Sequence, residues 1–240
     1  MKKTTSILTA GFMLFIASCG NNANETADTT AVDTMATDTT AMAPAAPEFT
    51  PFKVIAVTHT VKNYDKFREV YNAHDSLRHA YGITHFRIGR GLEDSNKIFI
   101  VNRIDDVTKA KEFAASADLK EAMKKAGVVG PPTIAFAEII RLDSSMLEIK
   151  NRVRVIHRVK DFDAWLKVYD GEGKEKRAEN GLIDRSLSRG IDDPNVVTLT
   201  FAISDMEKAK ARMNDPALKA LMMTAGVEGE PSFFFYNLVD

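Results

Sequence analysis

The chain has 240 residues, of which 32 are lysine or arginine and 33 are aspartate or glutamate, giving a formal net charge of −1. The basic residues form no block and do not alternate with aromatic residues, so the sequence excludes the surface that nucleic-acid binding requires. A single cysteine excludes a disulfide framework.

The beginning of the chain resembles a bacterial lipoprotein signal. Lys2 and Lys3 precede an apolar run over residues 7–16, which is too short to span a bilayer, and small residues then lead to Cys19. In the lipobox that this pattern resembles, residues 1–18 are removed and Cys19 is acylated, which anchors the protein to a membrane. An ordinary secretory signal is the alternative, but a lone exported cysteine favours the anchor. The expected location is the bacterial cell envelope, facing the periplasm or the exterior.

Residues 19–50 differ in composition from everything that follows. They are rich in Thr, Ala and Asp and contain almost no large apolar residue. Such a segment cannot bury enough surface to offset its chain entropy. The sequence therefore predicts a disordered tether between the anchor and a folded part.

The rest of the chain is an internal repeat, with a first half over residues 52–143 and a second half over residues 150–240. Positions separated by 99 residues match from Arg78 onward, and positions separated by 98 residues match upstream of it. One residue is therefore gained or lost near the end of the first helix. A repeat of this length indicates two copies of one module. The matches include His59 with His157, Gly82 with Gly181, Met123 with Met222 and Pro132 with Pro231.

Each module shows the same order of elements. Alternating apolar and polar residues predict strands, while Asn63 and Asp106 are capping residues that predict the starts of two helical regions. Glycines end these regions, and the second is interrupted near Ser116. In the first half the strands are predicted over residues 54–61, 85–90, 97–104 and 133–141, and the helical regions over residues 63–82 and 106–127.

The order β-α-β-β-α-β is that of the ferredoxin-like fold, an α+β fold in which both helical regions lie on one face of an antiparallel sheet. The expected strand order is 4-1-3-2. Because the strand residues on both faces are largely apolar, the face without helices needs a cover, which the matching sheet of the other module supplies. The sequence thus predicts two tandem ferredoxin-like modules that pair with each other in a pseudo-symmetric α/β barrel.

Three segments resemble the dimeric α/β barrel superfamily, and more narrowly its antibiotic-biosynthesis-monooxygenase-like branch. They are the Val-x-His-x-Val-Lys-Asp-Phe-Asp-x-Trp run at residues 155–165, the turn at residues 189–195, and the Ala-Gly-Val-x-Gly-x-Pro segment at residues 126–132 and 225–231. The resemblance implies a barrel in which the usual homodimer is fused into one chain. It leaves the activity open, since the superfamily also contains haem-degrading enzymes and isomerases. Haem degradation is disfavoured, because the sole tryptophan, Trp165, is expected on a helix against the sheet.

The candidate site in each half combines a histidine, an arginine and a loop that the predicted topology brings to one rim of the sheet. A histidine exchanges protons near neutral pH, and an arginine can hold an oxyanion. In the alternative interpretation, each histidine is a hydrogen-bonded core residue and each arginine fixes its turn. The histidines and arginines are the catalytic candidates, and the ligand-binding candidates are His59, Arg90, Gly127 and Pro132 in the first half and His157, Arg189, Gly226 and Pro231 in the second.

The remaining polar residues are assigned structural roles. Tyr71 and Tyr169 are expected in the core with satisfied hydroxyls. Arg78 and Arg177 are expected to pair with local carboxylates. No phosphate loop, nucleotide fingerprint or nucleophile elbow is present, and no cofactor is predicted. Three histidines without counterparts in the second half match no metal-binding spacing, so no metal site is predicted; they are His74, His79 and His85.

Three functions remain open from the sequence. The first is a lipid-anchored envelope protein that binds a small aromatic or lipophilic molecule. The second is a cofactor-independent monooxygenase or isomerase, in which His59 or His157 acts as the base. The third is a structural envelope protein with a filled barrel and no ligand. The first is preferred, because no set of residues in the sequence requires catalysis.

Overall fold

The computed structural model describes residues 49–240. The predicted signal peptide, Cys19 and the tether up to residue 48 lie outside the described residues. The first half contains β1 (Phe52–Val61), α1 (Tyr64–Ala73), α2 (Asp75–Ala80), β2 (Ile83–Gly91), β3 (Lys97–Ile104), α3 (Val107–Ala115), α4 (Ala117–Lys125) and β4 (Val128–Leu142). The second half contains β5 (Asn151–Val159), α5 (Phe162–Glu172), α6 (Lys174–Glu179), β6 (Leu182–Gly190), β7 (Val196–Ile203), α7 (Met206–Met213), α8 (Pro216–Thr224) and β8 (Val227–Leu238).

Strand β1 places alternate side chains on opposite faces of the sheet, as its sequence predicts. Val61 packs in one core cluster with Phe67 of α1, and Ile55 packs in another with Phe113 of α3. These side chains therefore face the helices. The side chains that alternate with this helix-facing set, Ala56, Thr58 and Thr60, face the barrel interior, where Thr58 accepts a hydrogen bond from Arg154.

Each predicted helical region consists of two short helices. The Asn63 side chain accepts a hydrogen bond from the backbone N–H of Lys66 at 2.9 Å and begins α1. The predicted interruption at Ser116 is confirmed, since this residue ends α3 and caps α4. The break at His74 between α1 and α2 was not predicted, because no glycine or proline marks it. Helix α5 has 11 residues where α1 has 10, which locates the one-residue difference between the halves.

Strand β4 is longer than predicted, beginning at Val128 rather than at residue 133. Thr58 pairs with Thr133 and Thr60 pairs with Val129, so residues 130–132 lie opposite one residue of β1. The Gly-Pro-Pro segment that suggested a loop is therefore an irregularity within the strand, of the kind that changes the direction of nearby side chains.

The eight strands close into one antiparallel barrel in the order β1-β3-β2-β8-β5-β7-β6-β4. Each half keeps the predicted order 4-1-3-2. Two seams join the halves: β2 pairs with β8, where Gly89 lies opposite Leu238, and β4 pairs with β6, where Ala137 lies opposite Gly190. The predicted pseudo-symmetric barrel is confirmed. The hydrogen-bonded seams go beyond the predicted packing of sheet faces and leave no open sheet edge.

Side chains from the inner faces of the sheets fill the barrel, as expected for eight strands. Tyr236 is 3% exposed, and its ring packs against Phe99 with 5.5 Å between centroids. Arg154 extends across the interior, where its Nη2 donates to Thr58 Oγ1 at 3.3 Å. None of the helices over residues 49–240 has the length and apolar character that a membrane crossing demands.

Candidate functional site

Two cavities lie between the barrel wall and the helices, one in each half. Their volumes are about 80 Å³ in the first half and about 90 Å³ in the second. Both are lined mainly by apolar side chains, and each wall includes the predicted histidine, His59 or His157. The space available for a ligand therefore lies outside the barrel rather than between the two sheets.

The two histidines occupy equivalent and unusual environments. His59 is 7% exposed and His157 is 6% exposed. Neither ring nitrogen of either residue has a hydrogen-bond partner among the described protein groups. Since buried polar groups are almost always hydrogen-bonded, each histidine leaves an unused donor and an unused acceptor beside its cavity.

Burial also fixes the charge of these rings. It lowers the pKa of His59 and of His157 from 6.5 to about 4, because the imidazolium form would lose its hydration. Both rings are neutral at pH 7. The ring of His59 packs edge-on against Phe67 at 5.3 Å between centroids, and the ring of His157 packs against Trp165 at the same distance. Aromatic packing therefore holds each imidazole at the cavity wall.

The strand irregularities lie directly opposite these histidines. Residues 130–132 of β4 face His59, and residues 229–231 of β8 face His157, because the pairing shifts register at these points. The predicted juxtaposition of each histidine with its Gly-x-Pro segment is thus present. Pro132 and Pro231 do not line the cavities.

The predicted glycines lie beside the cavity walls without lining them. Gly127 has φ 73° and Gly226 has φ 87°, a backbone conformation that glycine adopts readily. The carbonyl oxygen of Gly127 accepts a hydrogen bond from the backbone N–H of Lys62 at 2.9 Å, and that of Gly226 accepts one from Lys160. These glycines end helices α4 and α8 and direct the chain into the last strand of each half.

The structure places the predicted arginines away from both cavities. Arg90 Nε donates to the carbonyl oxygen of Ser95 at 2.9 Å, and its guanidinium lies over the ring of Tyr64 at 4.1 Å. Arg189 likewise donates to the carbonyl of Pro194 at 2.6 Å. Both arginines connect a strand turn to its surroundings, which is the structural role left open by the sequence.

A hydrogen-bond network that sequence reasoning missed lies at the wall of the first cavity. The Tyr71 hydroxyl donates to Asn102 Oδ1 at 2.7 Å and lies 3.0 Å from His85 Nδ1. His85 Nε2 lies 2.8 Å from Asp240 Oδ2. The hydroxyl of Tyr71 is satisfied as predicted, but Tyr71 and Asn102 line the cavity. One feature of the sequence could have indicated this network: His85 has no counterpart in the second half.

The second cavity has a different polar wall. The Tyr169 hydroxyl donates to Asp184 Oδ2 at 3.0 Å, and Arg177 makes two hydrogen bonds to the same carboxylate. Burial and the charge of Asp184 raise the pKa of Tyr169 far above its usual value. Phe201 replaces the amide of Asn102 in the equivalent strand position. The predicted pairing of Arg177 with a local carboxylate is observed, as is that of Arg78 with Asp75 at 2.8 Å.

The described residues contain no group of three or more His, Cys, Asp or Glu side chains arranged to hold a metal ion.

No family model matches the chain, and no curated protein matches it. An anthrone oxidase-like protein of known structure superimposes with a TM-score of 0.52 at 14% identity, covering 79% of this chain and 92% of that chain. An uncharacterized ferredoxin-fold protein from Listeria monocytogenes, related to antibiotic biosynthesis monooxygenases, gives 0.47 at 12% identity, covering 80% and 97%. A monooxygenase-like protein from Listeria innocua gives 0.46 at 12% identity, covering 78% and 93%.

At 14% identity the similarity to the anthrone oxidase-like protein establishes a shared fold and not a shared activity. The superposition on the anthrone oxidase-like protein covers 79% of this chain. The chain therefore has an α+β fold in which two ferredoxin-like modules close into one antiparallel barrel.

Proposed function

We propose that the protein binds a small aromatic or lipophilic molecule in the cavities between the barrel and its helices. The observation that carries this proposal is the pair of buried histidines, His59 and His157, whose ring nitrogens have no protein partner. A ligand with one hydroxyl or carbonyl group would satisfy one nitrogen of the ring that it meets. The apolar remainder of each wall would bind the hydrocarbon part of the ligand.

The size of the cavities favours a compact ligand. A buried water needs a cavity of about 10–15 Å³, so volumes of about 80 and 90 Å³ correspond to several waters. A one-ring phenol or a compound of similar size is the expected ligand class. Because these cavities are separate from the filled barrel interior, a purely structural role for the fold is disfavoured.

The charge state of the histidines favours binding over proton abstraction by these rings. A general base is most effective when its pKa is near the operating pH. The pKa of about 4 makes His59 and His157 weak bases at pH 7. They are better suited to donating or accepting a hydrogen bond. A cofactor-independent oxygenase or isomerase reaction therefore needs another group, and the network around Tyr71 makes this the second candidate function.

Two ligands of nearly the same shape test the proposal. Isothermal titration calorimetry would compare 4-methylphenol, which has a hydroxyl, with 1,4-dimethylbenzene, which has a methyl group instead. In the double variant His59→Phe/His157→Phe, the affinity ratio of phenol to hydrocarbon should fall about tenfold, the effect of one lost hydrogen bond. An unchanged ratio would contradict the proposed role of the histidines. Absence of binding of either compound to the wild-type protein would contradict the proposed function.

The matched control is the double variant Arg90→Gln/Arg189→Gln. These arginines were ligand-binding candidates from the sequence, but their guanidinium groups lie outside both cavity walls. The affinity ratio of the two compounds should equal that of the wild-type protein. A lowered ratio in this variant would instead show that the arginines take part in ligand binding.

The proposal includes a location at the bacterial cell envelope, with Cys19 as a lipid anchor facing the periplasm or the exterior. It is supported by the sequence of residues 1–19. Metabolic labelling of cells with a radioactive fatty acid should label the wild-type protein and not the Cys19→Ser variant. Equal labelling of both proteins would exclude Cys19 as the acylated residue.

A further inference from the structure

The polar network of the first half connects the cavity wall to the protein surface. Tyr71 lines the cavity, and its hydroxyl oxygen lies 3.0 Å from His85 Nδ1. The other ring nitrogen of His85 lies 2.8 Å from Asp240 Oδ2. The His85 side chain is 32% exposed and that of Asp240 is 18% exposed. A continuous line of hydrogen bonds therefore leads from the ligand space to water.

We propose that the first cavity is a general-base site for small phenolic or enolic compounds, in which Tyr71 accepts the hydroxyl proton of the ligand and relays its own proton to His85. The inference rests on the proposed binding of such a ligand. As the ligand O–H bond breaks, its electron pair stays on the ligand oxygen and the proton bonds to Tyr71 Oη. The original Tyr71 O–H bond breaks, and that proton bonds to His85 Nδ1. The products are a bound phenolate or enolate and an imidazolium, with no oxidant or reductant consumed.

The carboxylate of Asp240 sets His85 in the form that this step requires. A neutral imidazole that donates its Nε2–H to Asp240 has a lone pair on Nδ1, which points to the Tyr71 hydroxyl. The tyrosine proton can then lie toward His85 or toward Asn102 Oδ1 at 2.7 Å. Burial raises the pKa of Tyr71 to about 12, so the hydroxyl relays a proton rather than remaining ionised.

Asp240 is itself held in place by several donors. Its Oδ1 accepts a hydrogen bond from the backbone N–H of Ile88 at 2.8 Å, and its Oδ2 accepts one from Arg68 Nη1 at 3.2 Å. This residue follows β8 of the second half, whereas His85 and Tyr71 belong to the first. The relay therefore depends on the seam between β2 and β8, and closure of the barrel assembles it.

Positive and polar groups surround the place where the ligand anion would form. The charged groups that face Tyr71 are Arg78, Arg68 and Asp240. Arg78 lies over the ring of Tyr71 at 3.7 Å, is 4% exposed and lines the cavity, and its Nε has no hydrogen-bond partner among the described protein groups. His59 lines the same cavity, and the N–H group of its ring has no partner among the described protein groups. Such fixed donors stabilise an anion more effectively than water does in a dry site.

The second cavity offers an internal comparison. The group that meets the Tyr169 hydroxyl is the carboxylate of Asp184, which Arg177 already binds with two hydrogen bonds. The equivalent of Asp240 is Arg141, which instead pairs with Asp170. The second half therefore retains the cavity, His157 and the tyrosine, but it has different groups at the positions of His85 and Asp240. We expect it to bind the same ligand in its neutral form.

The test uses 4-cyanophenol, a one-ring phenol whose neutral and ionised forms differ in ultraviolet absorbance. The full-length protein in detergent would be saturated with the probe, and the absorbance of the bound probe would be followed against pH. In the wild-type protein, one of the two bound molecules should ionise at a pH where the free probe is neutral. Tyr71→Phe and His85→Gln should each lower the ionised fraction about tenfold at that pH, the change produced by one pKa unit.

Asp240 acts through His85 as a positioning residue, and the pH profile tests that role. Asp240→Asn should move the midpoint of probe ionisation to higher pH, and Asp240→Glu should restore it. Matched controls are Tyr81→Phe and His79→Gln, since Tyr81 packs on Phe113 and His79 pairs with Asp75, both outside the relay. The midpoint should stay at the wild-type value in both.

The possible failures are distinguishable. If the wild-type protein does not bind the probe, the proposed function and the relay are both wrong. If it binds but the ionised fraction is the same in His85→Gln, the relay is wrong and the binding function stands. His85 does not line the cavity, so this variant decides the question even if Tyr71→Phe fails to fold.

Discussion

The ring of Tyr236 lies against the backbone of Gly89 at the seam where β8 of the second half meets β2 of the first. A Cβ atom built on Gly89 would stand 2.1 Å from Cδ2 of Tyr236, far closer than van der Waals contact allows. Tyr236 is also 3% exposed and is held by Phe99. The absence of a side chain at Gly89 is therefore a condition for closing this side of the barrel.

Gly89→Ala should destabilise the protein because the tyrosine ring cannot move without displacing other interior side chains. Overpacking of this kind costs about 1–3 kcal/mol of unfolding free energy. The control is Gly171→Ala in helix α5, where an added Cβ meets nothing within 4 Å. Alanine there should raise stability by about 0.5–1 kcal/mol. Urea denaturation should show a lower unfolding free energy for Gly89→Ala and a higher one for Gly171→Ala. Equal changes in the two variants would show that Tyr236 does not require Gly89.

The cation inside the barrel leads to a second prediction. Arg154 packs over Phe99 at 4.0 Å and donates to Thr58, and burial lowers its pKa from 12.5 to about 10. The folded state therefore holds this proton less firmly than the unfolded chain does. Burial of the charged arginine lowers the unfolding free energy, and this penalty is present at every pH below about 10. It corresponds to roughly 3 kcal/mol, offset in part by the cation–π contact.

Arg154→Met should therefore raise the unfolding free energy at pH 7 by about 1–3 kcal/mol. The matched control is Arg158→Met on the same strand, where the arginine is half exposed and pairs with Asp193 and Glu228. Its loss should change stability by less than about 1 kcal/mol. Urea titrations at pH 7 would compare the two. A destabilised Arg154→Met protein would show that the buried arginine makes a net favourable contribution.

Local patterns allowed most of the fold to be predicted from the sequence. Alternation in β1, the cap at Asn63 and the interruption at Ser116 each depend on residues close in sequence. The barrel followed from apolar residues on both strand faces. The seams could not be predicted, because main-chain groups form them and the pairing of Gly89 with Leu238 leaves no side-chain pattern.

The site was only partly predictable for the same physical reason. The histidine on an apolar strand face, His59, was a correct indication of the cavity wall. The relay combines Tyr71, His85 and Asp240, and Asp240 comes from the other half of the chain. Only the closed barrel makes these residues neighbours. The prediction included Arg90, the arginine beside the turn, because topology alone does not determine which way its side chain points.

The buried histidines make stability depend on pH. Burial lowers the pKa of His59 and His157 to about 4, whereas the unfolded residues titrate at 6.5. Between these values the unfolded chain binds more protons than the folded one, so stability falls as the pH falls from about 6.5 to about 4. From pH 7 to pH 5 the loss should be about 2 kcal/mol for each histidine.

Urea denaturation at both pH values would measure this loss. The double variant His59→Phe/His157→Phe cannot take up these protons and should lose less stability on acidification than the wild-type protein does. The burial of neutral imidazoles is contradicted if the double variant loses as much stability as the wild-type protein.

Two arginine–aspartate pairs in the same region differ mainly in burial, and this difference should decide their contributions to stability. Arg177 makes hydrogen bonds of 2.8 Å and 2.6 Å to Asp184, and its side chain is 7% exposed. Arg141 also makes two hydrogen bonds to Asp170, but these side chains are 49% and 45% exposed.

Arg177→Met leaves a partly buried carboxylate without its cation and should cost about 3–5 kcal/mol of unfolding free energy. Arg141→Met should cost less than about 1 kcal/mol, because water replaces the lost partner. Urea denaturation of the two variants tests this directly, and similar losses would mean that desolvation does not govern the pair at the second cavity.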